Sequence, residues 1–306
     1  MGNMRKSVRL IALLLALMAL LLTGSVLMAQ DAVEAPEAPT AEVLAEIVVP
    51  ALEAYNENLP QGFGTIKVDD FVVLLAENPD VVILDIREAG EVEETGVIEG
   101  SIHIPMRELG ENMGALPELD ATIVVVCKGG FRAGQAMAAL QILGYENAKV
   151  LSGGFDAWVG EELPVVDEPV EFEVGDVPED IDPDLLQAVS YMLATVPEGF
   201  GGVKPADLSV ELIEDAPELL LDVRTAEEWA DPGYIEGAVL IPIAELMTRT
   251  DELPEDMDAP IVVYCAAGTR GGIAMTMLRT MGYTNVRNLS GGINGWIAAE
   301  LPVVQD

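Results

Sequence analysis

Ile123-Val-Val-Val-Cys-Lys-Gly-Gly-Phe-Arg132 and Ile261-Val-Val-Tyr-Cys-Ala-Ala-Gly-Thr-Arg270 are two versions of one pattern: an apolar run, then a cysteine that opens a short Gly-containing loop closed by Arg. The apolar runs have strand character, and the residues after them read as helices over 132–143 and 270–279. Cys127 and Cys265, the only two cysteines, therefore each sit at a strand-to-helix junction. There the loop N–H groups and the helix N-terminus stabilise negative charge on sulfur, as a nucleophilic thiolate requires. A lone cysteine is more often a small buried hydrophobe. Two in matching loops favour chemistry.

The repeat extends well beyond these loops. Arg132 and Arg270, Gly144 and Gly282, and Trp158 and Trp296 are separated by 138 residues, like the cysteines. Upstream the offset is 137, in Pro60/Pro197, Phe63/Phe200, Asp85/Asp222, Gly100/Gly237 and Pro105/Pro242. A unit of this length is a duplicated domain with its own core. Short apolar strands (81–85, 101–104 and 123–126, then 219–222, 238–241 and 261–264) alternate with helical stretches. The fold class expected is α/β: two tandem domains, each with a central, mainly parallel sheet flanked by helices on both faces. Each copy also gains an N-terminal helix, at 41–58 and 182–195, leading into a Gly-Phe turn.

The segments expected are a signal peptide at 1–29, a disordered spacer at 30–40, domain 1 at 41–165, an acidic linker at 166–178 and domain 2 at 179–306. Arg5, Lys6 and Arg9 precede the apolar run Leu10 to Leu22 and a small-residue cleavage site at Ala29. The chain is then exported to a periplasmic, cell-surface or extracellular location, with an uncleaved N-terminal membrane anchor as the alternative. The linker's Val170-Glu-Phe-Glu-Val174 has the alternation of a short edge strand.

The formal charge is −38, or −41 without the signal's three basic residues. Such a surface repels nucleic acid and anionic membrane, which are excluded as partners. It also repels anionic substrates unless the site is locally positive, which draws attention to Lys128, Arg132 and Arg270. One His and two distant Cys make no metal-ligand set, and no cofactor is expected. A disulfide would require equivalent loops of two domains to meet face to face. Asp85 with Arg87, and Asp222 with Arg224, read as strand-end ion pairs, and Trp158 and Trp296 as caps on each domain's hydrophobic edge.

In the second copy, Leu220-Leu-Asp-Val-Arg-Thr-Ala-Glu-Glu-Trp229, Gly233-Tyr-Ile-Glu-Gly-Ala-Val-Leu-Ile-Pro242, the Cys265 loop and Gly282-Tyr-Thr-Asn-Val-Arg-Asn-Leu-Ser-Gly-Gly-Ile-Asn-Gly-Trp296 stand in one order. The first copy offers Ile83-Leu-Asp-Ile-Arg87, Gly96 to Pro105, the Cys127 loop and Gly144 to Trp158 in the same order. This set resembles the rhodanese family of sulfurtransferases over most of the mature chain. The resemblance implies that Cys127 and Cys265 are catalytic. Each takes the outer sulfur of a small anionic sulfane sulfur donor such as thiosulfate and passes it from a persulfide to a thiol or cyanide acceptor. Lys128, Gly129, Gly130, Phe131 and Arg132 in the first loop, and Ala266, Ala267, Gly268, Thr269 and Arg270 in the second, become the substrate-binding set. The resemblance also treats Asp85, Arg87, Asp222 and Arg224 as structural.

The departures are specific. Two-domain members similar to the liver enzyme keep the cysteine only in the C-terminal copy, whereas both loops keep it here. The position after the loop Arg, often Ser in the family, is Ala133 and Gly271, which predicts a less well capped helix start. Val92 stands where the second copy has Trp229, which with Ala89-Gly90 makes the first copy's segment after Arg87 the less regular; Phe131 stands where the second copy has Thr269, so the two sites need not prefer the same donor. Two other readings stay open: a persulfide relay or binding module serving a protein sulfur acceptor, and a cysteine-dependent phosphatase or arsenate reductase. The latter usually needs Cys-x5-Arg, one residue longer than these loops.

Overall fold

The central strands are apolar at every position because both of their faces are covered. Ile123–Val126 and Ile261–Tyr264 are buried throughout, the signature of a parallel strand between two helical layers. In the computed structural model, which describes residues 36–305, β1 (Thr65–Ile66), β2 (Val82–Asp85), β3 (Val97–Ile98), β4 (Ser101–His103), β5 (Ile123–Val126), β6 (Ala148–Leu151) and β7 (Val165–Val166) make up domain 1. Five of them form a parallel sheet in the order β1-β6-β5-β2-β4, and β3 pairs antiparallel with β7. Domain 2 repeats the parallel sheet with β8 (Gly202–Val203), β9 (Leu219–Asp222), β10 (Val239–Leu240), β11 (Ile261–Tyr264) and β12 (Val286–Leu289), in the order β10-β9-β11-β12-β8.

The helices that matter for the site are α1 (Val49–Glu57), α2 (Val68–Glu77), α3 (Ala89–Thr95), α4 (Phe131–Ile142), α5 (Gly154–Gly160), α6 (Pro183–Ala194), α7 (Pro205–Glu214), α8 (Ala226–Ala230), α9 (Thr269–Thr280) and α10 (Gly292–Ala298). Strand alternation sorts the core. Val124 and Val126 face Phe71, Phe155 and Trp158 in one outer layer, and Val262 and Tyr264 face Leu208 and Trp296 in the other. Ile123, Val125, Ile261 and Val263 point into a third cluster, which contains α4 and α9 and is shared by both domains.

That shared layer settles how the copies pack. From Arg132 to Ile142, α4 is buried on every side, which explains its run of Ala, Gly and Met. One side rests on its own sheet and the other on α9. Gly134 lies against Thr269, Gly272 lies against Gln135, and the Thr276 hydroxyl reaches the Gln135 carbonyl at 3.5 Å. The added N-terminal helices cross the same boundary. Asn56 of α1 donates to the Ile243 carbonyl at 2.7 Å and accepts from the Met247 N–H at 3.3 Å. In α6, Ser190 sits where a side chain at Gly110 would have to go. A helix that sequence order assigns to one domain thus lies partly on the other, and Pro36–Asp306 is one compact unit.

The linker strand forms at Val165–Val166, not at 170–174. Only the N–H of Val170 reaches the sheet edge, donating to the Ser101 carbonyl at 2.8 Å. The remaining alternation faces solvent, with Val170, Phe172 and Val174 exposed. Residues 36–40 have no regular structure, and the signal peptide and the first part of the spacer lie outside the described residues. Among the described residues no helix is long and apolar enough to cross a membrane.

Candidate active site

Each cysteine directly follows the central strand and is about 1 % exposed. Cys127 Sγ accepts the N–H of Gly130 at 3.1 Å, and Cys265 Sγ accepts that of Gly268 at the same distance. Gly130 and Gly268 are the N-caps of α4 and α9, with φ of 94° and 108°. A Cβ is disfavoured there, so glycine turns the chain back over the sulfur and into a twelve-residue helix whose N-terminus favours an anion. Both cysteines are free thiols.

The Ser-Gly-Gly segments that follow β6 and β12 brace the loops. The N–H groups of Phe155 and Asp156 donate to the carbonyls of Cys127 and Lys128 at 2.8 and 2.9 Å, and those of Ile293 and Asn294 to Cys265 and Ala266 at 2.8 and 3.0 Å. Gly154 and Gly292 come so close that a Cβ at either would overlap the cysteine carbonyl oxygen.

The two loop arginines, expected to bind substrate, are each paired with a glutamate. Arg132 Nη1 and Nη2 are both held by the Glu91 carboxylate, at 2.5 and 2.7 Å, and Arg270 is held by Glu228 at 2.6 Å on each nitrogen. These bidentate pairs engage both terminal nitrogens of each guanidinium, which fixes the loop's end but leaves neither Arg as an uncommitted anion receptor. The Arg132 hydrogen bond holds the Glu91 carboxyl below the usual range, and the Arg270 bond brings Glu228 down to about 2. The same glutamates close the capping boxes of α3 and α8, accepting the N–H of Glu88 and of Thr225 at 3.0 Å.

Those short helices are in turn tied to the sheet by the buried Asp–Arg pairs. Arg87 meets Asp85 through Nε and Nη2, then spends its other donors on the Thr95 hydroxyl and the Gly96 carbonyl. Arg224 meets Asp222 likewise and reaches the Glu228 and Gly233 carbonyls. A continuous support runs from strand end to buried ion pair, to short helix, to glutamate, to loop arginine. Trp158 and Trp296 are buried in the outer layers, their indole N–H groups donating to the Pro164 and Pro302 carbonyls. His103 donates through Nε2 to the Arg87 carbonyl at 2.7 Å.

In front of Cys127 opens a cleft of about 520 Å³, with Lys128, Gly129, Phe131, Arg132 and Asp156 on its own-domain side and Gly199 and Phe200 reaching in from domain 2. Lys128 is exposed and, among the described residues, makes no ion pair. The charged residues lining the cleft are two of each sign: Glu91 and Asp156 against Lys128 and Arg132. On a chain of −38 that balance is a local relief from repulsion. Gly129 to Phe131 and Ala267 to Thr269 together line a second cavity of about 320 Å³.

Glu91, Glu228 and the Gly-Gly brace were not singled out from the sequence. Glu91 and Glu228 keep the 137-residue offset, and Thr225-Ala-Glu-Glu228 is a capping-box pattern. A glutamate preserved through the duplication while its neighbours changed was the available signal.

A rhodanese-like domain model matches residues 68–161 and again 205–299. This chain belongs to the rhodanese-like family. Over 275 residues it is 24% identical to the 3-mercaptopyruvate sulfurtransferase of Escherichia coli (strain K12), covering 76% of this chain and 95% of that protein. It is also 24% identical to the thiosulfate sulfurtransferase of Azotobacter vinelandii, covering 71% and 88% respectively. The crystal structure of the Escherichia coli 3-mercaptopyruvate sulfotransferase aligns with 20% identity and a TM-score of 0.37, covering 75% of this chain and 98% of that one. The rhodanese architecture here is two tandem α/β domains with a catalytic cysteine in each, and the activity is of the sulfurtransferase type, moving sulfane sulfur through a cysteine persulfide.

Proposed function

We propose that Cys127 and Cys265 both take sulfane sulfur from thiosulfate, or a donor as small and anionic, and deliver it to cyanide or a thiol, in an exported protein. The thiolate attacks the outer sulfur of thiosulfate, a new S–S bond forms, and the old S–S bond breaks with its electron pair leaving on sulfite. The acceptor then attacks the outer sulfur of the persulfide, which returns the cysteine as thiolate and leaves the sulfur on the acceptor as thiocyanate or a new persulfide.

The observation that carries this reading is the pair of Sγ···H–N contacts at 3.1 Å from the N-cap glycines, each beside an arginine already neutralised by glutamate. A loop built this way stabilises one negative sulfur and its persulfide. It is poorly built for a phosphate, which asks for an uncommitted arginine fork. The export reading is supported by the basic, then apolar, then small-residue pattern of residues 1–29.

Intact mass after incubation of the reduced protein with thiosulfate tests the proposal. Wild type is expected to gain two additions of about 32 mass units, and Cys127→Ser or Cys265→Ser only one each. No addition to either thiol, with both shown to be free, would refute thiosulfate as donor.

A further inference from the structure

The Gly-Phe turns of the two domains are conformationally costly. Gly62 and Phe63 both take left-handed backbone angles, as do Gly199 and Phe200, with Phe63 at φ 57°, ψ 38° and Phe200 at φ 58°, ψ 30°. A bulky non-glycine residue rarely accepts that region unless its surroundings fix it there. The same strain appears twice, at positions equivalent in the duplication, with different residues flanking it.

What the strain achieves is placement across the domain boundary. The Phe200 ring lies 4.8 Å from the Arg132 guanidinium, and Phe200 and Gly199 line the Cys127 cleft. Reciprocally, the Phe63 ring lies 5.3 Å from the guanidinium of Arg270 beside Cys265. We propose that each turn supplies in trans the wall that sets donor size at the other domain's cysteine: Phe200 for Cys127 and Phe63 for Cys265. That these molecules are sulfur donors rests on the function proposed above, whereas the wall itself does not.

The two walls differ in how firmly they are held. Arg107 Nη2 donates to the carbonyls of Val196 and Pro197 at 3.1 Å, and its guanidinium lies 4.5 Å from the Phe200 ring on top of the Arg132 contact. Gln135 Nε2 donates to the Phe200 carbonyl at 3.1 Å. The duplication places Ala244 where domain 1 has Arg107, and Ile273 where it has Gln135. Neither can make the equivalent bond. Phe200 is therefore held from across the domain boundary, whereas the Phe63 turn is held from within, by Thr65 Oγ1 donating to the Gly62 carbonyl at 2.9 Å.

Glycine accepts the left-handed backbone without a Cβ penalty, so Phe200→Gly and Phe63→Gly remove a ring while favouring the turn. In the full chain, the rates of iodoacetamide and N-phenylmaleimide addition at each cysteine are read by peptide mass spectrometry, and persulfide formation is read with thiosulfate and with benzenethiosulfonate. Phe200→Gly is expected to raise the bulky-to-small rate ratio about tenfold at Cys127, the scale on which pocket shape discriminates apolar groups, and to leave Cys265 unchanged. Phe63→Gly is expected to act only at Cys265, and by less, because no counterpart of Arg107 or Gln135 holds that turn from across the boundary. An unchanged ratio at Cys127, or an equal change at both cysteines, overturns the proposal and makes the turns interface braces. Alkylation that follows the prediction while no persulfide forms with either donor would retain the wall and reject the sulfur-donor reading.

Discussion

The Cys127 and Cys265 sites share their backbone and differ in almost every side chain that faces outward. Both have the N-cap glycine, the Sγ···H–N contact of 3.1 Å, the Gly-Gly brace, the bidentate Arg–Glu clamp and the buried Asp–Arg pair. Around that frame Lys128, Phe131 and Asp156 are replaced by Ala266, Thr269 and Asn294. Some exchanges compensate. The buried Arg87 has the Phe155 ring 3.8 Å away, on the helix side; Arg224 instead has Tyr264 at 5.7 Å, on the strand, and Ile293 stands in the helix position. Phe131 reaches Gly202 of the facing domain, whereas Thr269 has Thr65 at the equivalent position. The parts that hold a thiolate have stayed fixed while the parts a donor would touch have diverged.

The largest effect should come from breaking the shared frame. Arg87→Ala or Arg224→Ala strands a fully buried aspartate, and each is expected to lower unfolding stability by about 3–5 kcal/mol in urea titrations. Equal losses in the two domains would mark the pair as common support. A loss confined to one would mean that the duplicated frames no longer carry equal strain.

Next come the brace glycines. Gly154 and Gly292 combine φ of 59° and 56° with direct overlap of any Cβ on a cysteine carbonyl. Gly154→Ala is expected to cost about 2 kcal/mol or more. It should also abolish persulfide formation at Cys127 while Cys265 still loads, with the mirror result for Gly292→Ala. Mass spectrometry of each cysteine peptide separates the two.

The frame was legible in the sequence because it is made of backbone geometry that only certain residues permit. Glycine at 130 and 268, apolar runs at 123–126 and 261–264, and aspartate at two strand ends each leave a local mark that duplication doubles. What escaped was the partnership between distant residues. Nothing local to Arg132 says that Glu91, 41 positions earlier, pairs with it. Both helix starts lack a side-chain cap, as expected, but the packing behind one of them was hidden: Gly271 has no room for a side chain because Asn288 occupies the space, its Nδ2 donating to the Gly268 carbonyl at 2.8 Å. The packing of the copies was equally illegible, since burial of α4 on every side implies a second covering layer without naming it.

With both arginines committed, Lys128 becomes the side-chain cation that distinguishes the sites. Measured in Cys265→Ser protein, Lys128→Ala is expected to lower kcat/KM for thiosulfate about fivefold, the scale of an exposed charge contact of about 1 kcal/mol, and to flatten its dependence on salt. In Cys127→Ser protein, Ala266→Lys is expected to raise the same parameter at Cys265. A Lys128→Ala variant with unchanged kcat/KM and salt dependence would assign donor binding to the loop N–H groups alone.

The smallest effect separates the two clamps by pH. Glu228 titrates at about 2 in the folded chain, chiefly through its hydrogen bonds from Arg270, against an ordinary glutamate value of 4.5. A depressed folded pKa contributes stability that is complete above the unfolded value and lost as pH falls from there toward 2. Its side chain is 36% exposed, so solvent screening holds the contribution to about 0.5–1 kcal/mol. The stability difference between wild type and Glu228→Gln is therefore expected to be constant from pH 7 to 5, to shrink below 4.5 and to vanish near pH 2. Glu91, depressed for the same reason by Arg132, should give a difference of the same sign. A Glu228→Gln difference that grew on acidification would mean that the carboxylate is strained against its arginine rather than stabilised by it, and the support running from strand to cysteine loop would have to pass through some other contact.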